Sequence, residues 1–280
     1  MKVIYNIREM QRVSEGHRNS QMVIGFVPTM GFFHKGHISL IKEAKRISDI
    51  SAASIFVNPV QFGKGEDYKV YPVDIDGDIK KAEEIGIDYL FIPSASDIYP
   101  GGYKTFIDVK KITESLCGKS RTGHFRGVAT IVVKLFNIIK PHKVLLGQKD
   151  FQQALVIREL VKDLNMDIDV IVMPTIRERD GLAMSSRNSY LNKRERESAT
   201  LLYRSLKLAE RMIKDGEKSP ERILSEMKNI IQREDIADID YISICDPETL
   251  QEIDRIEGKI LIALAVFIGK TRLIDNIMVS

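Results

Sequence analysis

The sequence predicts an α/β N-terminal domain built on a parallel sheet, followed by a smaller α+β domain. Two observations lead to this prediction. From residue 22 to residue 173, short apolar runs rich in β-branched residues alternate with segments whose apolar residues recur at helical spacing. After Pro174 the order changes to two long helical segments and then three strand-like runs, which is typical of an antiparallel sheet packed against helices. We therefore expect domains at 1–175 and 176–280.

Composition narrows the class of protein. A chain of 280 residues can bury two modest cores. Its formal net charge is only +3 and its basic and acidic residues are interspersed, which argues against a general nucleic-acid-binding protein. Cys117 and Cys245 lie far apart without a CxxC partner, so neither a zinc site nor a disulfide framework is indicated. The first ten residues lack an apolar signal region, and no segment has the uninterrupted apolar length of a membrane span. We expect a cytoplasmic protein that binds neither membrane nor nucleic acid.

The first domain is expected to alternate strands and helices. After a polar segment around residues 14–21, the predicted strands are 22–27, 52–57, 89–92, 106–109, 143–146 and 168–173. The predicted helices are one ending near residue 49, then 74–84, 128–139 and 151–164. Such an alternation forms a Rossmann-like parallel sheet with right-handed crossovers, in which ligands bind at the carboxyl ends of the strands.

The second domain is expected to begin with helices 194–215 and 220–234. Ser219 and Pro220 supply an N-cap and an N1 proline for the second of these helices. The predicted strands are 240–245, 259–267 and 272–279.

The segment 28–37, PTMGFFHKGH, is the most informative motif. It connects a buried strand to a helix, so we expect free backbone N–H groups and the helix dipole to favour an anion such as a phosphate. Gly31 and Gly36 leave room for the backbone to approach a ligand. His34 and His37 have HxxH spacing, but no third metal ligand is evident, so phosphate contact is favoured over a metal site. Each histidine taken alone is compatible with an ordinary loop residue.

Three further segments follow predicted strands or helices. Asn58 and Gln61 come directly after a strand, and residues 62–72 have the composition of a mobile flap. GQKD, residues 147–150, places Lys149 where it can neutralise phosphate charge in a transition state and Asp150 where it can accept bonds from ribose; a surface turn is the alternative.

Two loops carry basic or hydroxyl side chains suited to phosphate. MSSRN, residues 184–188, offers two hydroxyls and a guanidinium fork to a polyphosphate, or alternatively only a loop and a helix cap. The basic loop GKSRTGHFRG, residues 118–127, is read equally well as a phosphate contact or as a solvated loop.

Five segments in order resemble the pantoate–β-alanine ligase family: PTMGFFHKGH, IFVNPVQF, HFRGVATIVVKLFN, GQKDFQQ and PTIRERDGLAMSSRN. The family belongs to the nucleotidyltransferase group with an HxGH motif. The resemblance implies a Rossmann-like ATP- and pantoate-binding domain and a C-terminal lid domain. It also implies a reaction in which ATP and (R)-pantoate form a pantoyl adenylate, which β-alanine converts to pantothenate, with release of pyrophosphate and AMP. Mg²⁺ and a homodimer are further implications.

Site residues carry over by motif. The resemblance implies that His37 acts as proton donor, or as a stabiliser of phosphate charge, with His34, Lys149 and Arg187 supplying further positive charge. The implied ATP-binding residues are Met30, Gly31, Phe32, Phe33, His34, Lys35, Gly36, His37, Gly147, Gln148, Lys149, Asp150, Ile176, Met184, Ser185, Ser186 and Arg187. The implied substrate-binding residues are Gln61 and Gln153, with Asn58 and Tyr71 as second contacts. Phe33 stands where the family usually has leucine, and Gln148 where it usually has glutamate.

Two other functions fit parts of the pattern. A cytidylyl- or adenylyltransferase would keep the HxGH turn but would leave the glutamines of GQKDFQQ without a carboxylic acid to bind. A catalytically silent nucleotide sensor is a second alternative, against which the presence of Lys149, Arg187 and both histidines argues.

Overall fold

The chain forms two compact units in the computed structural model, which describes residues 1–280. Unit 1 comprises residues 1–110, 121–148 and 153–174, and unit 2 comprises residues 111–120, 149–152 and 175–280. The change of unit at residue 175 coincides with the change of apolar pattern in the sequence. The two short segments 111–120 and 149–152 carry no such signal, yet they pack with the C-terminal part of the chain. No helix has the length and apolar character needed to cross a membrane.

Unit 1 is built on a six-stranded sheet whose strands all pair in parallel. The strands are β1 (Lys2–Ile4), β2 (Ile24–Thr29), β3 (Ile50–Ile55), β4 (Tyr89–Phe91), β5 (Lys143–Gly147) and β6 (Asp169–Met173). Their order in the sheet is β1-β4-β3-β2-β5-β6. The predicted α/β class with a Rossmann-like parallel sheet is confirmed.

Helices cover both faces of this sheet. They are α1 (Ile7–Asn19), α2 (Lys35–Ile47), α3 (Ile75–Ile85), α4 (Ala95–Ile98), α6 (His124–Ile139) and α7 (Phe151–Asp163), while α5 (Cys117–Ser120) belongs to unit 2. Alternate strand residues face opposite sides: Phe26 packs in the core with α1 and α6, and Val27 packs in the core with α2 and α3. Burial on both faces explains why the strands read as continuous apolar runs.

The strand order places a topological switch point between β2 and β5. From β2 the chain adds β3 and then β4 on one side, whereas β5 and β6 lie on the other side. The carboxyl ends of β2, β3 and β5 therefore lie at one edge of the sheet, next to the point where doubly wound folds bind ligands.

Unit 2 contains α8 (Lys193–Ser198), α9 (Thr200–Lys214) and α10 (Pro220–Ile231), followed by three antiparallel strands. The strands are β7 (Ala237–Cys245), β8 (Ile260–Ile268) and β9 (Thr271–Val279), with β8 in the centre. Apolar residues of α9 and α10, such as Leu206 and Met227, pack against this sheet in a core of their own. The predicted smaller α+β domain is confirmed as a fold.

Three expectations about elements are wrong. The N-terminal residues form β1 and α1, which the polar sequence did not predict. Residues 106–109 form no strand, because the backbone N–H of Ile107 donates to the side chain of Thr130 rather than to a neighbouring strand. The helix expected at 194–215 is interrupted at Ala199, where the N–H of Leu202 bonds three residues back and tightens the turn.

Candidate active site

The segment 30–37 leaves the carboxyl end of β2 and enters α2. Its first turn is held by Thr29, whose hydroxyl donates to the carbonyl of Ser54 at 2.6 Å and accepts the N–H of Gly31 at 3.1 Å. Gly31 has φ +86°, and a side chain there would meet Ile55 at 2.9 Å. Glycine is therefore required at this position both for its conformation and for the space.

The turn binds an anion that belongs to the protein itself. The buried carboxylate of Asp78, on α3, accepts the backbone N–H groups of Phe32 and Phe33, each at 2.6 Å. Burial raises the pKa of Asp78, and the two N–H groups and the charge of Lys81 oppose that rise. Nζ of Lys81 also donates to the carbonyl of Phe33 at 3.0 Å. The prediction that free N–H groups of this turn would receive a phosphate is wrong for Phe32 and Phe33, because Asp78 occupies them.

The two histidines are fixed in one orientation by the start of α2. Nδ1 of His34 accepts the N–H of Gly36 at 3.1 Å, and Nδ1 of His37 accepts the N–H of His34 at 3.5 Å. The two rings stack with centroids 4.0 Å apart. A neutral imidazole that accepts at Nδ1 carries its proton on Nε2. Both histidines therefore have Nε2–H as the donor on the side of the ring away from the backbone of the turn.

Gln61 ends a short 3-10 turn, Pro59–Gln61, that follows β3. Its side-chain oxygen accepts from Nδ2 of Asn58 at 3.1 Å, and its Nε2 lies 3.2 Å from Sδ of Met30. Asn58 is 1% exposed, and Tyr99 donates to its Oδ1 at 2.8 Å. Thus Met30 lies together with Asn58 and Gln61 within unit 1, although the sequence placed Met30 in a different motif.

The close approach of α6 to Gln61 depends on Gly127. A Cβ atom at Gly127 would lie 2.6 Å from the backbone N and Cα of Gln61. The carbonyl of Gly127 also accepts from Nδ2 of Asn58 at 3.1 Å. The HFRGV segment therefore contributes a backbone contact to the Gln61 region.

A second set of contacts reaches Gln61 through His124, the first residue of α6. Arg121 forms two 2.7 Å hydrogen bonds with the carboxylate of Glu66, and its Nη1 donates to Nε2 of His124 at 2.9 Å. Because Nε2 of His124 accepts, Nδ1 carries the proton and donates to the carbonyl oxygen of Gln61 at 2.9 Å. His124 is thus a neutral ring of one defined tautomer that joins Arg121 to Gln61.

The two arginines of the basic loop 118–127 are paired with carboxylates within unit 1. Burial opposes ionisation of Glu66, but the hydrogen bonds and charge of Arg121 lower the pKa of Glu66 to about 2. Arg126 lies 3.6 Å from Asp108 and stacks 4.5 Å from the ring centroid of Phe106. Both arginines therefore have carboxylate partners on the protein.

Residues 62–72, whose composition predicts a mobile flap, contain an aromatic cluster. Tyr71 is buried, and its ring lies 5.9 Å from that of Phe62, which also contacts Tyr68 at 5.4 Å. A 3-10 turn, Asp67–Val70, precedes Tyr71. Tyr71 is therefore packed against its own segment.

Lys149 in unit 2 follows the carboxyl end of β5. Its Nζ lies 3.6 Å from Oδ1 of Asp150, and its carbonyl accepts from Nδ2 of the buried Asn276 at 2.9 Å. The adjacent Asp275 is buried and bound through both oxygens by Arg177, at 2.5 and 3.0 Å. Burial raises the pKa of Asp275, and the bonds from Arg177 counteract this. Strand β9 thus fixes both the backbone of Lys149 and the segment that carries Arg177.

Two consecutive glutamines on α7 have different surroundings. Gln152 is buried, its amide donates to the carbonyls of Ile112 and Ser115 at 2.8 Å, and its oxygen accepts the N–H of Cys117. Gln153, the predicted substrate contact, is half-buried. Gln152 therefore stabilises unit 2, and the sequence alone did not distinguish the two roles.

The MSSRN segment in unit 2 has defined geometry. The N–H of Met184 donates to the carbonyl of Ile176 at 2.9 Å, which joins two of the predicted ATP-binding residues. Ser185 caps the short helix Ser186–Tyr190 by accepting the N–H of Arg187 at 3.3 Å. The amide of Asn188 donates to Glu178 at 2.8 Å and to the carbonyl of Ala183 at 3.1 Å. The loop is therefore held by its own polar side chains.

The sequence did not predict several residues that position the candidate site. Asp78, Tyr99, His124 and Asn276 hold predicted site residues in place, but each lies far along the chain from the residue that it contacts. Only the position of Asp78 in the first turn of a helix was visible beforehand. No group of three or more His, Cys, Asp or Glu side chains is arranged to hold a metal ion.

Comparison with known proteins bears on all of these motifs. Residues 2–278 match the family model for pantoate-beta-alanine ligase. The chain is 52% identical over 280 residues to a pantothenate synthetase of Caldicellulosiruptor bescii, covering 100% of this chain and 99% of the relative. It is 51% identical to a pantothenate synthetase of Acetivibrio thermocellus over 280 residues, covering 100% of both chains.

Solved structures give the same result. A pantothenate synthetase from Thermus thermophilus superimposes with a TM-score of 0.94 at 38% identity, covering 99% of each chain. A pantoate-beta-alanine ligase from Francisella tularensis, complexed with beta-gamma ATP and beta-alanine, superimposes with a TM-score of 0.82 at 40% identity, covering 99% of this chain and 97% of that one. Because the family model matches residues 2–278 and relatives about 50% identical are matched from end to end, the chain belongs to the pantoate-beta-alanine ligase family.

Proposed function

We propose that this protein condenses (R)-pantoate with β-alanine, using ATP, to give pantothenate, AMP and pyrophosphate. Membership of the pantoate-beta-alanine ligase family supports this reaction. The structural observation that carries it is the convergence of the HxGH turn, the Gln61 turn and Gly147 at the carboxyl ends of β2, β3 and β5. Ligands of doubly wound sheets bind at this edge.

The reaction is expected to proceed in two steps. A carboxylate is a poor electrophile, so a carboxylate oxygen of pantoate first attacks the α-phosphorus of ATP, and the bond to pyrophosphate breaks. The amine of β-alanine then attacks the acyl carbon of the pantoyl adenylate, loses a proton, and AMP departs. The first step brings two anions together, so catalysis depends chiefly on positioning and on positive charge. No nucleophile of the protein is required.

We assign residues 30–37 to ATP binding. The Nε2–H donors of His34 and His37 are suited to phosphate oxygens, and a histidine can also transfer a proton near neutral pH. Because Phe32 and Phe33 give their N–H groups to Asp78, the imidazoles carry more of the phosphate contact than the backbone of the turn does. His37 remains our candidate for the proton donor, a role that requires its ring to be protonated at Nδ1 as well as at Nε2.

We assign Lys149 and Arg187 to charge stabilisation during adenylate formation, together with ATP contacts by the residues around them. The other proposed ATP contacts are Gly147, Gln148, Asp150, Ile176, Met184, Ser185 and Ser186. Lysine and the guanidinium fork of arginine both suit phosphate oxygens. The packing of Asn276 against the backbone of Lys149 supports a fixed position for this lysine. The departures at Phe33 and Gln148 are compatible with nucleotide binding, since Phe33 is accommodated in the core.

We assign Gln61 and Gln153 to pantoate, and Gln61 also to β-alanine. Asn58 is buried, and its amide bonds to Gln61, Gly127, Tyr99 and Val60. This supports a role for Asn58 in orienting Gln61 rather than in direct contact. Tyr71 keeps its proposed role as a second contact.

Mg²⁺ is proposed as the ion that accompanies ATP. The ion keeps several water ligands and binds mainly through substrate phosphates with one or two carboxylates, so a cluster of three protein ligands is not needed. Asp150 is the one acidic residue among the proposed ATP contacts, and its carboxylate is half-exposed. The donor set therefore fits Mg²⁺, which when bound supplies further screening of phosphate charge.

We further propose a homodimer located in the cytoplasm, with residues 1–175 as the ATP- and pantoate-binding domain and residues 176–280 as the lid domain. Sedimentation velocity over a range of protein concentrations would test the oligomeric state. A species with the mass of a single chain at every concentration would contradict the dimer.

Exchange of labelled pyrophosphate into ATP tests the function directly. We expect exchange that requires pantoate and does not require β-alanine, because adenylate formation is reversible before the amine arrives. Pantothenate should accumulate only when all three substrates are present. Exchange that is independent of pantoate, or that needs a phosphorylated acceptor instead, would identify a nucleotidyltransferase. Tight ATP binding with no exchange would identify a sensor.

A further inference from the structure

Three side chains of unit 1 form a hydrogen-bonded relay that ends at Gln61. The hydroxyl of Tyr99 lies 2.8 Å from Oδ1 of Asn58, and Nδ2 of Asn58 lies 3.1 Å from Oε1 of Gln61. Nε2 of Gln61 then lies 3.2 Å from Sδ of Met30. Tyr99 is 41 residues from Asn58 in sequence, so the relay is a product of the fold.

Two backbone groups show which atom of the Asn58 amide is the oxygen and which is the nitrogen, and hence which group donates in each bond of the relay. The N–H of Val60 can only donate, so the Asn58 atom that it meets at 3.4 Å is the oxygen. The carbonyl of Gly127 can only accept, so the Asn58 atom at 3.1 Å is the nitrogen. It follows that Tyr99 donates to Asn58. It also follows that Gln61 turns its oxygen towards Asn58 and its NH₂ group away from it.

We propose that Tyr99 is a positioning residue for substrate binding: by donating to Oδ1 of Asn58 it strengthens the hold that Val60 and Gly127 have on that amide. Through Asn58 it thereby stabilises the orientation in which Gln61 offers an N–H donor, rather than its carbonyl oxygen, to the substrate. The inference rests on the proposed role of Gln61 in binding pantoate. An N–H donor selects an acceptor oxygen, which pantoate has in its carboxylate and hydroxyl groups. A Gln61 amide free to rotate would spend part of its time presenting an oxygen that repels the carboxylate.

The ring of Tyr99 is held independently of its hydroxyl. It packs against Phe56 at 6.3 Å and edge-on against Tyr103 at 5.1 Å, and Nζ of Lys134 lies 5.6 Å from its centroid. Phenylalanine at this position would therefore occupy the same place and remove only the O–H donor. Burial raises the pKa of Tyr99 well above its ordinary value, so the hydroxyl stays protonated in any ordinary assay.

The test is Tyr99→Phe, with Tyr103→Phe as the matched control. Tyr103 undergoes the same chemical change on the adjacent ring, but it makes no bond to Asn58. For Tyr99→Phe we expect the KM for pantoate to rise by about threefold to tenfold, as for loss of one buried hydrogen bond. The KM for ATP should change less than twofold. The ratio of the pantoate KM of the variant to that of the parent should stay constant from about pH 6 to pH 9. Tyr103→Phe should behave as the parent protein does.

A double-mutant cycle separates this role from general loss of packing. If Tyr99 acts through Gln61, Tyr99→Phe should have little further effect on pantoate binding in a Gln61→Ala background. An equal effect in both backgrounds would overturn the proposal, as would unchanged kinetics in Tyr99→Phe itself. Pantoate titrations followed by the ¹⁵N–¹H signal of the Gln61 side chain give a readout without turnover. That signal should respond to pantoate in the parent and respond more weakly in Tyr99→Phe, and an identical response would also overturn the proposal.

The outcome for the proposed function is distinguishable. If the parent protein shows no pantoate-dependent pyrophosphate exchange, the ligase assignment fails and the inference fails with it. If the parent is active and Tyr99→Phe matches it, only the role of Tyr99 is lost.

Discussion

The carboxylate of Asp78 accepts the backbone N–H of Phe33 at 2.6 Å, across 45 residues of sequence. It also accepts the N–H of Phe32, where the chain has φ +54°, a conformation that is uncommon for a residue other than glycine. A buried anion thus holds the HxGH turn in a shape that its local sequence does not favour. His34 and His37 follow the two residues that this internal anion holds.

Asp78→Asn should weaken the turn. The asparagine oxygen can accept one of the two N–H groups, but its NH₂ group then faces the other donor. Relief of the buried charge offsets part of this loss. We expect the free energy of unfolding to fall by about 1 to 3 kcal/mol, and the KM for ATP to rise severalfold because the histidines are less well placed. Urea unfolding and steady-state kinetics measure the two effects.

Asp74→Asn is the control for this substitution. Asp74 accepts the N–H of Gly77 at the exposed start of the same helix, and asparagine is as good an N-cap as aspartate. It should leave both quantities nearly unchanged. If Asp78→Asn also left the KM for ATP unchanged while lowering stability, the role of Asp78 would be confined to folding.

The sheet of unit 1 was predictable because its strands are buried on both faces and therefore read as apolar runs. Strand β1 was not predicted because it has only three residues, at the edge of the sheet. Helix α1 was not predicted because few of its residues, such as Met10, are buried. The β-branched residues at 106–109 looked like a strand, yet Ile107 packs on the core without strand partners. Local pattern reports burial, and it does not report which group takes each hydrogen bond.

The candidate site also contains residues that the sequence predicted and residues that only the structure shows. The sequence located His34, His37 and Gln61 from their motifs. It could not reveal that Asp78 occupies the N–H groups of the turn, that Tyr99 bonds to Asn58, or that His124 bonds to the carbonyl of Gln61, because those bonds join residues 41 to 63 positions apart. Motifs identify the groups that meet a ligand, whereas the residues that orient them are chosen by the fold.

The ion pair between Glu66 and Arg121 predicts a pH dependence of stability. The native pKa of Glu66 is about 2, below its ordinary value of 4.5, so the native state binds fewer protons than the unfolded state between these values. The pair's contribution is therefore complete above about pH 4.5 and is lost as pH falls towards 2. The difference between the two pKa values corresponds to roughly 3 kcal/mol.

Unfolding of the parent and of Glu66→Gln, measured at intervals from neutral pH to about pH 3, tests this prediction. The difference in free energy of unfolding should be largest near neutrality and should shrink below pH 4.5. Glu84→Gln provides a control, because Glu84 is an exposed residue of α3. A difference for Glu66→Gln that does not vary with pH would contradict the assigned pKa.

His124 allows its two hydrogen bonds to be removed separately. His124→Asn places an amide near the Nδ1 position and can keep the donor to the carbonyl of Gln61, while it loses the acceptor for Arg121. His124→Gln reaches the Nε2 position and does the reverse. Because Gln61 is the proposed substrate contact, we expect His124→Gln to raise the KM for pantoate more than His124→Asn does, by about threefold or more.

His17→Gln is the control for the histidine series, since His17 bonds to Tyr89 and has no contact with Gln61. Both His124 variants should be checked for a native circular dichroism spectrum before kinetics. Equal pantoate KM values in the two His124 variants would mean that the carbonyl of Gln61 does not need the imidazole donor.

Lys149→Met should slow adenylate formation far more than it weakens ATP binding. Methionine keeps most of the length and apolar character of the side chain and removes the charge. That charge is needed most when negative charge grows on the phosphates in the transition state, so the loss should appear in kcat, by about a hundredfold or more, with the KM for ATP raised only a few times. Pyrophosphate exchange measures the step directly.

Lys81→Met is the control. It removes a lysine that bonds to the HxGH turn through the carbonyl of Phe33, and it should have a smaller effect on kcat. If Lys149→Met lost ATP affinity and kcat in equal proportion, Lys149 would serve ground-state binding alone, and Arg187 and the histidines would have to carry the stabilisation of the transition state.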